Sequence, residues 1–299
     1  MAQRRRRPRR GVQYAAPVQY GAESMTAPLR EVLVKRPAEA FAHAHEDRRH
    51  GFLHAVDLVA AQREHDRLCQ LLESLGARVH RLESETASPD LVYTFDPALV
   101  TQRGYIALRS GKPTRRGEEQ ALAAWLDASG IPRVGAIEAP GTVDGGDTFW
   151  LEPGLLCVGR SLRTNGAGVE QLGRLVERVL VFDVPYAGGP GECLHLMSLV
   201  SPVADDLAVV YLPLLPCGLY ELLHERGVRL VEVPDEEFAS LGCNVLAVRP
   251  GVVVIAAGNP RTQAALEAAG CEVHTFAAGE VGLNGSGGPT CLTRPILRR

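Results

Sequence analysis

Short apolar runs in this chain are broken by turn residues, followed by an amphipathic stretch and then by another apolar run. The order returns about every 50 residues. The clearest copy has apolar runs at 97–101 and 105–108 around a turn at Gln102-Arg103-Gly104. A helix at 117–128 follows, with Ala121, Leu122, Trp125 and Leu126 at helical spacing. Gly130 stops it, and 133–137 reads as a third strand. The next copy places strands at 147–151, 155–159 and 179–184, with a helix at 168–178. Two more follow, with strands at 198–202, 207–212 and 228–233, then at 244–248, 252–256 and 272–276; their helices are expected at 218–226 and 261–269. The first copy is one strand short: it offers 30–34, a long helix at 58–75 and a strand at 78–82. Its missing partner is expected at 291–297, where pairing of the chain's two ends would leave no open edge. The pattern predicts an α/β fold, a five-bladed α/β propeller of five ββαβ units around a pseudo-five-fold axis. An open parallel sheet would need helical crossovers where this chain has hairpins.

A polar residue leads into each copy: Asp96, Asp144, His195, Asn244 and Cys291, spaced by 48, 51, 49 and 47 residues. Around a common axis, equivalent positions meet. A carboxylate, an imidazole and a thiol would then converge, the makeup of a cysteine nucleophile with its base and orienter. Each member alone has a plainer reading. A single cysteine is more often a buried hydrophobe, His195 among apolar neighbours more often a core residue, and Asp144-Gly145-Gly146-Asp147 equally well a turn. Their shared place in the repeat raises the catalytic reading above these.

Composition adds bounds. Of 299 residues, 45% are hydrophobic and 22% charged, the balance of a globular domain. A net charge of −3 offers no general field for nucleic acid or an anionic membrane, and no apolar run reaches membrane-spanning length. Seven cysteines, none in a C-x-x-C pair, support neither a zinc site nor a disulfide framework, and a reducing cytoplasm is the expected location. His43, His45, His50 and His54 invite a metal reading, but no second ligand set accompanies them and a solvated loop is expected. Residues 1–26 carry Arg4–Arg7, Arg9 and Arg10 without core periodicity. They are expected to be a disordered tail, with Met25 as a possible working start and 27–299 as one catalytic domain. A nucleic-acid contact by this basic arm is the lesser alternative.

With these residues in place, the chain resembles the guanidino-group-modifying enzymes of the pentein fold. Among them it is most similar to the dimethylarginine dimethylaminohydrolases and their bacterial relatives. The motifs are Pro89-Asp90 with Asp96, Lys112-Pro113-Thr114-Arg115-Arg116, Asp144-Gly145-Gly146-Asp147, Arg163-Thr164-Asn165, Leu194-His195-Leu196 and Thr290-Cys291. The resemblance implies that Cys291 attacks the guanidinium carbon, that His195 protonates the leaving amine and then activates water, and that Asp144 orients the site. It implies substrate contacts by Asp96 and Asp90 to the cationic end, by Arg115 and Arg163 to an α-carboxylate, and by Leu53 in a lid and Gly285 in the glycine-rich loop. It implies no cofactor and no metal, a small guanidino substrate as the partner, no membrane or nucleic acid, and a possible homodimer. Two positions depart from the family: Phe95 stands where the dimethylaminohydrolases carry an acidic residue, and Met197 where the arginine deiminases carry an aspartate. A C–N hydrolase of the dimethylargininase type is therefore expected. The alternatives are an amidinotransferase or arginine-deiminase-like enzyme, or a non-enzymatic propeller module that binds a partner.

Overall fold

Five three-stranded sheets account for the strands, each built the same way: an antiparallel hairpin, then a strand returning parallel to the hairpin's second member. The computed structural model of the protein describes residues 18–185, 188–189 and 194–299. In the first unit β1 (Leu29–Val34) is followed by a one-turn helix α1 (Glu39–Ala42), the long α2 (Leu58–Ser74) and β2 (Arg78–Arg81). The second unit is β3 (Ala98–Thr101), β4 (Gly104–Ala107), α3 (Glu118–Ala128) and β5 (Arg133–Ala136). The third is β6 (Thr148–Glu152), β7 (Leu155–Arg160), α4 (Gly166–Leu175) and β8 (Arg178–Asp183). The fourth is β9 (Val200–Ala204), β10 (Leu207–Val210), α5 (Cys217–Glu225) and β11 (Arg229–Glu232). After a one-turn helix α6 (Asp235–Phe238) come β12 (Leu246–Arg249), β13 (Val252–Ala256), α7 (Pro260–Ala268) and β14 (Glu272–Phe276). The last strand, β15 (Arg294–Arg298), lies antiparallel beside β1, with Val32 opposite Pro295 and Leu33 opposite Arg294. The first unit thus receives its missing strand from the far end of the chain, as the repeat pattern requires.

Helix boundaries follow local chemistry. Asp57 caps α2 by accepting a hydrogen bond from the Ala60 amide at 2.9 Å, and Asn165 caps α4 through the Gly168 amide at 2.8 Å. The middle strands β4, β7, β10 and β13 are largely apolar on both sides because both their faces are covered, whereas the outer β2, β5, β8, β11 and β14 carry charged residues and are only partly buried. Within β3, Ala98 and Val100 enter a cluster shared with the first sheet and α3, whereas Leu99, pointing the other way, joins one shared with the third sheet. The remaining clusters join the third sheet to the fourth, the fourth to the fifth, and the fifth back to the first across α2. Each sheet shares a core with two others, in cyclic order.

Three sequence expectations need correction. The strands leading each unit begin later than the apolar pattern suggested. Asn244 and Cys291, expected on the strands themselves, stand before β12 and β15, just as Asp96, Asp144 and His195 stand before β3, β6 and β9, outside their strands as expected. Tight turns such as Gly145–Asp147 and Leu196–Ser198 bend the chain there, so polar side chains gather beyond the ends of the sheets. Second, the domain starts before residue 27. Gly21 exchanges backbone hydrogen bonds with β15, its amide donating to Ile296 O and its carbonyl accepting from Arg298, both at 2.8 Å. Ala22 is buried, and Val18 and Tyr20 pack against the cluster between the first two sheets. These residues carry no periodicity because they cross other elements instead of forming one. The arginine-rich stretch of the expected tail, residues 1–17, lies outside the described residues. Third, one histidine of the expected solvated 43–54 loop turns inward, while His43, His45 and His54 are exposed as expected. His43 sits between Glu39 and Glu46, His45 faces the Phe52 carbonyl at 3.1 Å, and His50 is drawn in against Asp90.

Candidate active site

The turns that precede the leading strands bring their polar residues together. One carboxylate oxygen each of Asp96 and Asp144 and one ring nitrogen of His195 lie within 4.8 Å of one another. His195 Nε2 is 3.2 Å from Asp144 Oδ2. Cys291 joins them through electrostatics and packing: its thiol feels the charges of Asp96 and His195, and its carbonyl accepts from the Phe95 amide, next to Asp96, at 3.1 Å. Asn244 completes the set. Its Nδ2 donates to Cys291 Sγ at 3.2 Å while its Oδ1 accepts from the Thr290 amide at 3.0 Å, fixing both the amide plane and the loop carrying the thiol.

Close approach at this point demands glycine. A β-carbon on Gly146 would clash with the His195 ring, 2.4 Å from Nδ1, and one on Gly145 would overlap the Phe95 carbonyl. The Gly-Gly pair is therefore a packing requirement as well as a turn. Asp147, at the end of the same motif, is fully buried and holds two neighbouring loops. Its Oδ1 accepts from the Leu196 amide at 3.0 Å, which sets the turn carrying His195. Its Oδ2 accepts from Ser161 Oγ at 2.6 Å, and Ser161 in turn accepts from the Arg163 amide at 2.9 Å.

One loop supplies donors to three carboxylates. In the segment 110–118, the Gly111 amide donates to Asp144 Oδ1 at 3.1 Å, Lys112 Nζ donates to Asp90 Oδ2 at 2.8 Å, and Arg115 pairs with Asp96 Oδ2. Arg115 is itself buried. Its remaining hydrogen bonds go to Glu118 Oε2, from Nε at 2.9 Å and Nη2 at 2.7 Å, and to the carbonyls of Asp90 and Tyr93. Arg163 pairs with Asp144 Oδ2 from the other side. Arg294, three residues after Cys291, lies over the Phe95 ring at 3.9 Å and donates to the Phe95 carbonyl.

These placements set the ionisation states. Burial opposes the charge on Asp144, yet Arg163 and His195 outweigh it and hold the carboxyl below its usual range. Asp96 is likewise lowered against burial, chiefly by Arg115 and then His195. Asp90 is drawn down to about 2, with burial opposed by the His50 hydrogen bond and by the Arg115 and Lys112 charges. Burial and the nearby Asp96 push the Cys291 thiol up to about 11, while His195 and Asn244 pull the other way. Burial also lifts Asp147 and Glu118 and lowers Arg294 to about 9. Asp96, Asp144 and His195 are spaced closely enough to hold a cation. The guanidiniums of Arg115 and Arg163 pair with Asp96 Oδ2 and Asp144 Oδ2.

The remaining expected site residues lie in the layer around this group. The segment carrying Leu53 is tied to the loop that leads to Cys291. The Leu53 amide donates to the carbonyl and to Oδ1 of the buried Asn284, both at 3.0 Å, while the Leu53 side chain is 69% exposed. Gly285 follows Asn284 and has no room for a β-carbon against the Tyr93 hydroxyl and the Phe52 ring. Sequence reasoning did not assign roles to Lys112, Glu118, Asp147 or Arg294. Lys112 and Asp147 stood inside recognised motifs, whereas nothing in the sequence singled out Glu118 from its neighbour Glu119.

An uncharacterized protein of Aeropyrum pernix is 28% identical over 274 residues, covering 89% of this chain and 94% of its own length. The N(G),N(G)-dimethylarginine dimethylaminohydrolase of Pseudomonas aeruginosa is 27% identical over 208 residues, covering 69% and 77%. A solved structure of the Pseudomonas aeruginosa enzyme in complex with citrulline superposes with a TM-score of 0.74 at 23% identity. It covers 91% of this chain and all of the other, a likeness of fold. The family model for arginine deiminase matches residues 85–216 and 215–298, most of the chain and every member of the cluster, and the protein belongs to that family.

Proposed function

We propose that this protein is a cysteine hydrolase that cleaves a C–N bond of a guanidino compound through a covalent intermediate on Cys291. The observation that carries the proposal is the meeting of Asp96, Asp144 and His195 within 4.8 Å beside a thiol that responds to their charges. A guanidinium is planar, cationic and rich in N–H donors, so two carboxylates can hold it while leaving its central carbon open to a nucleophile. The thiol at rest is protonated, since burial and Asp96 lift it to about 11. A bound cation supplies the opposite charge that favours the thiolate. The thiol proton passes to His195 as Cys291 Sγ bonds to the guanidinium carbon, and the leaving amine takes that proton from His195 as its C–N bond breaks. Water next gives a proton to His195 and adds to the same carbon, and Sγ departs as thiolate, leaving a ureido product. A methylated arginine yielding citrulline and an alkylamine is one reaction of this class. Asp144 orients His195 and binds the cation. Arg115 serves to position Asp96 instead of receiving a substrate carboxylate, because its donors already meet Asp96, Glu118 and two carbonyls.

The cyclic order of the shared cores supports a five-bladed propeller with this site at one end of its axis. A reducing compartment, the cytoplasm, suits a nucleophilic thiol. The test is incubation with a panel of arginine derivatives and other guanidines, with mass detection of an adduct on the Cys291 peptide and assay of the ureido product. Cys291→Ser should abolish both signals. Product formation that depends on an added amine acceptor would instead assign amidino transfer. Turnover by Cys291→Ser at the wild-type rate would refute the covalent route.

A further inference from the structure

Asn244 is buried and fixed at both its backbone and its side chain. It follows a turn in which Leu241 takes a left-handed backbone conformation, with φ at 67°, disfavoured for leucine; the Asn244 amide donates to the Leu241 carbonyl at 2.9 Å. Its two neighbours are pinned by one hydroxyl: Ser201 Oγ donates to the Cys243 carbonyl at 2.7 Å and accepts from the Val245 amide at 3.2 Å. The loop that carries the thiol is fitted closely around the side chain, since a β-carbon on Gly288 would meet Asn244 Oδ1 at 2.5 Å.

These contacts decide which half of the carboxamide meets the sulfur. Oδ1 accepts from the Thr290 amide at 3.0 Å, so Nδ2, which can only donate, faces Cys291 Sγ at 3.2 Å. Holding the loop needs the Oδ1 half alone. For the Nδ2 half, a neutral thiol is a weak acceptor and a thiolate a strong one. The N–H group therefore gains most when the sulfur carries negative charge, and the Gly288 backbone acts in the same sense.

We propose that Asn244 is a catalytic residue, whose Nδ2–H group stabilises the sulfur at the two points of the reaction where it carries negative charge. The first comes as the thiol proton passes to His195 and Sγ closes on the carbon it attacks. The second comes after water has given a proton to His195 and added to that carbon, when the C–S bond breaks and its electron pair returns to sulfur. A donor already aimed at the place where charge develops lowers both barriers without having to reorganise. The second point rests on the guanidino reading above; the stabilised thiolate itself does not.

Two substitutions separate the donor from the loop contact. Asn244→Asp keeps an acceptor for the Thr290 amide, removes the donor and adds a charge that opposes the thiolate. Asn244→Leu removes both contacts and adds no charge. Two rates are read: kcat for ureido product from N-methylarginine, and alkylation of the Cys291 peptide by iodoacetamide at a fixed pH below the thiol's midpoint, which needs no substrate. Both variants should lose about tenfold to a hundredfold in kcat, the value of a charge-assisted hydrogen bond, with Asn244→Asp falling at least as far as Asn244→Leu. Alkylation should slow by about threefold to tenfold, less than kcat because a more basic thiolate is also more nucleophilic. Wild-type rates in Asn244→Asp, or a smaller fall there than in Asn244→Leu, would mean that Asn244 only holds the loop and would overturn the inference. Wild-type rates in Asn244→Leu would overturn it as well. If neither N-methylarginine nor any other guanidine reacts while alkylation slows as expected, the proposed function falls and the thiolate donor stands. Should Asn244→Leu fail to fold, the comparison of Asn244→Asp with wild type decides alone, because that variant retains the Thr290 contact.

Discussion

Cys291 is held in an unreactive state by its surroundings, and this makes its activation measurable. Alkylation of the Cys291 peptide by iodoacetamide should increase with pH towards a midpoint near 11, because burial and Asp96 oppose the thiolate. A bound guanidinium that does not react should move this midpoint down, since it places a positive charge beside the sulfur. His195→Ala and Asn244→Ala should move it up, each removing a group that favours the thiolate. A midpoint near that of an ordinary thiol, unaffected by these changes, would contradict the electrostatic account. The same scale shows what the residues alone could tell. The cysteine, histidine and two aspartates were legible because their spacing repeats. The pairing of Lys112 with Asp90, and of Arg115 with Glu118 in place of Glu119, was not. Neighbouring charges of the same type are equivalent in sequence, and only tertiary packing decides which one turns inward.

Turns, more than strands or helices, carry the chemistry, and their tight packing predicts sharp responses to small changes. Gly146→Ala would force the His195 ring aside. A displacement of about 1 Å in a reacting group is enough for a loss of about a hundredfold in kcat, with little change in the far-ultraviolet circular dichroism. Asp147→Ala leaves the Leu196 amide and the Ser161 hydroxyl without their acceptor. It should lower both stability and kcat, the first by about 1–3 kcal/mol in urea unfolding. Asp90, in the Pro89–Val92 turn, gives a pH signature. Its folded pKa of about 2 lies below the ordinary carboxyl value of 3.8, so its contribution is present above about pH 4 and is lost as pH falls through 2. Such a gap amounts to about 2 kcal/mol, and Asp90→Asn should flatten the dependence of urea stability on pH in that window. A slope as steep as wild type would show that other groups govern it. The repeating ββαβ order was readable from period and turn residues. The offset of Asn244 and Cys291 from their strands was not, because a turn residue and a strand's first residue look alike in an apolar pattern.

At the scale of the whole molecule, the first sheet depends on the two ends of the chain meeting, and the N-terminal segment reinforces that meeting. Residues 18–26 were expected to be a tail, since they show neither helical nor strand periodicity; the structure uses them to cross between units. Gly21 extends the β15 edge, and Glu23 bridges two hairpin turns. Its Oε1 accepts from the Gln102 amide at 2.9 Å, between β3 and β4, and its Oε2 from the Gly154 amide at 3.1 Å, between β6 and β7. Thr26 Oγ1 reaches Asp205, in the β9–β10 turn, at 3.0 Å. These turns lie at the strand ends away from Cys291 and His195, so the segment ties the second, third and fourth units to the strand that carries the thiol's loop. A chain beginning at Met25 would lose the two Gly21 bonds, the two Glu23 bonds and the burial of Ala22. At about 0.5–1.5 kcal/mol for each of these four hydrogen bonds, the loss should be about 2–6 kcal/mol. That corresponds to a fall in melting temperature of about 5–10 °C for a domain of this size. Because the active-site turns lie at the other end, the shortened protein should keep its kcat well below its lowered melting temperature. Calorimetry showing the same melting temperature as the full chain would mean that the segment rests on the ring without holding it.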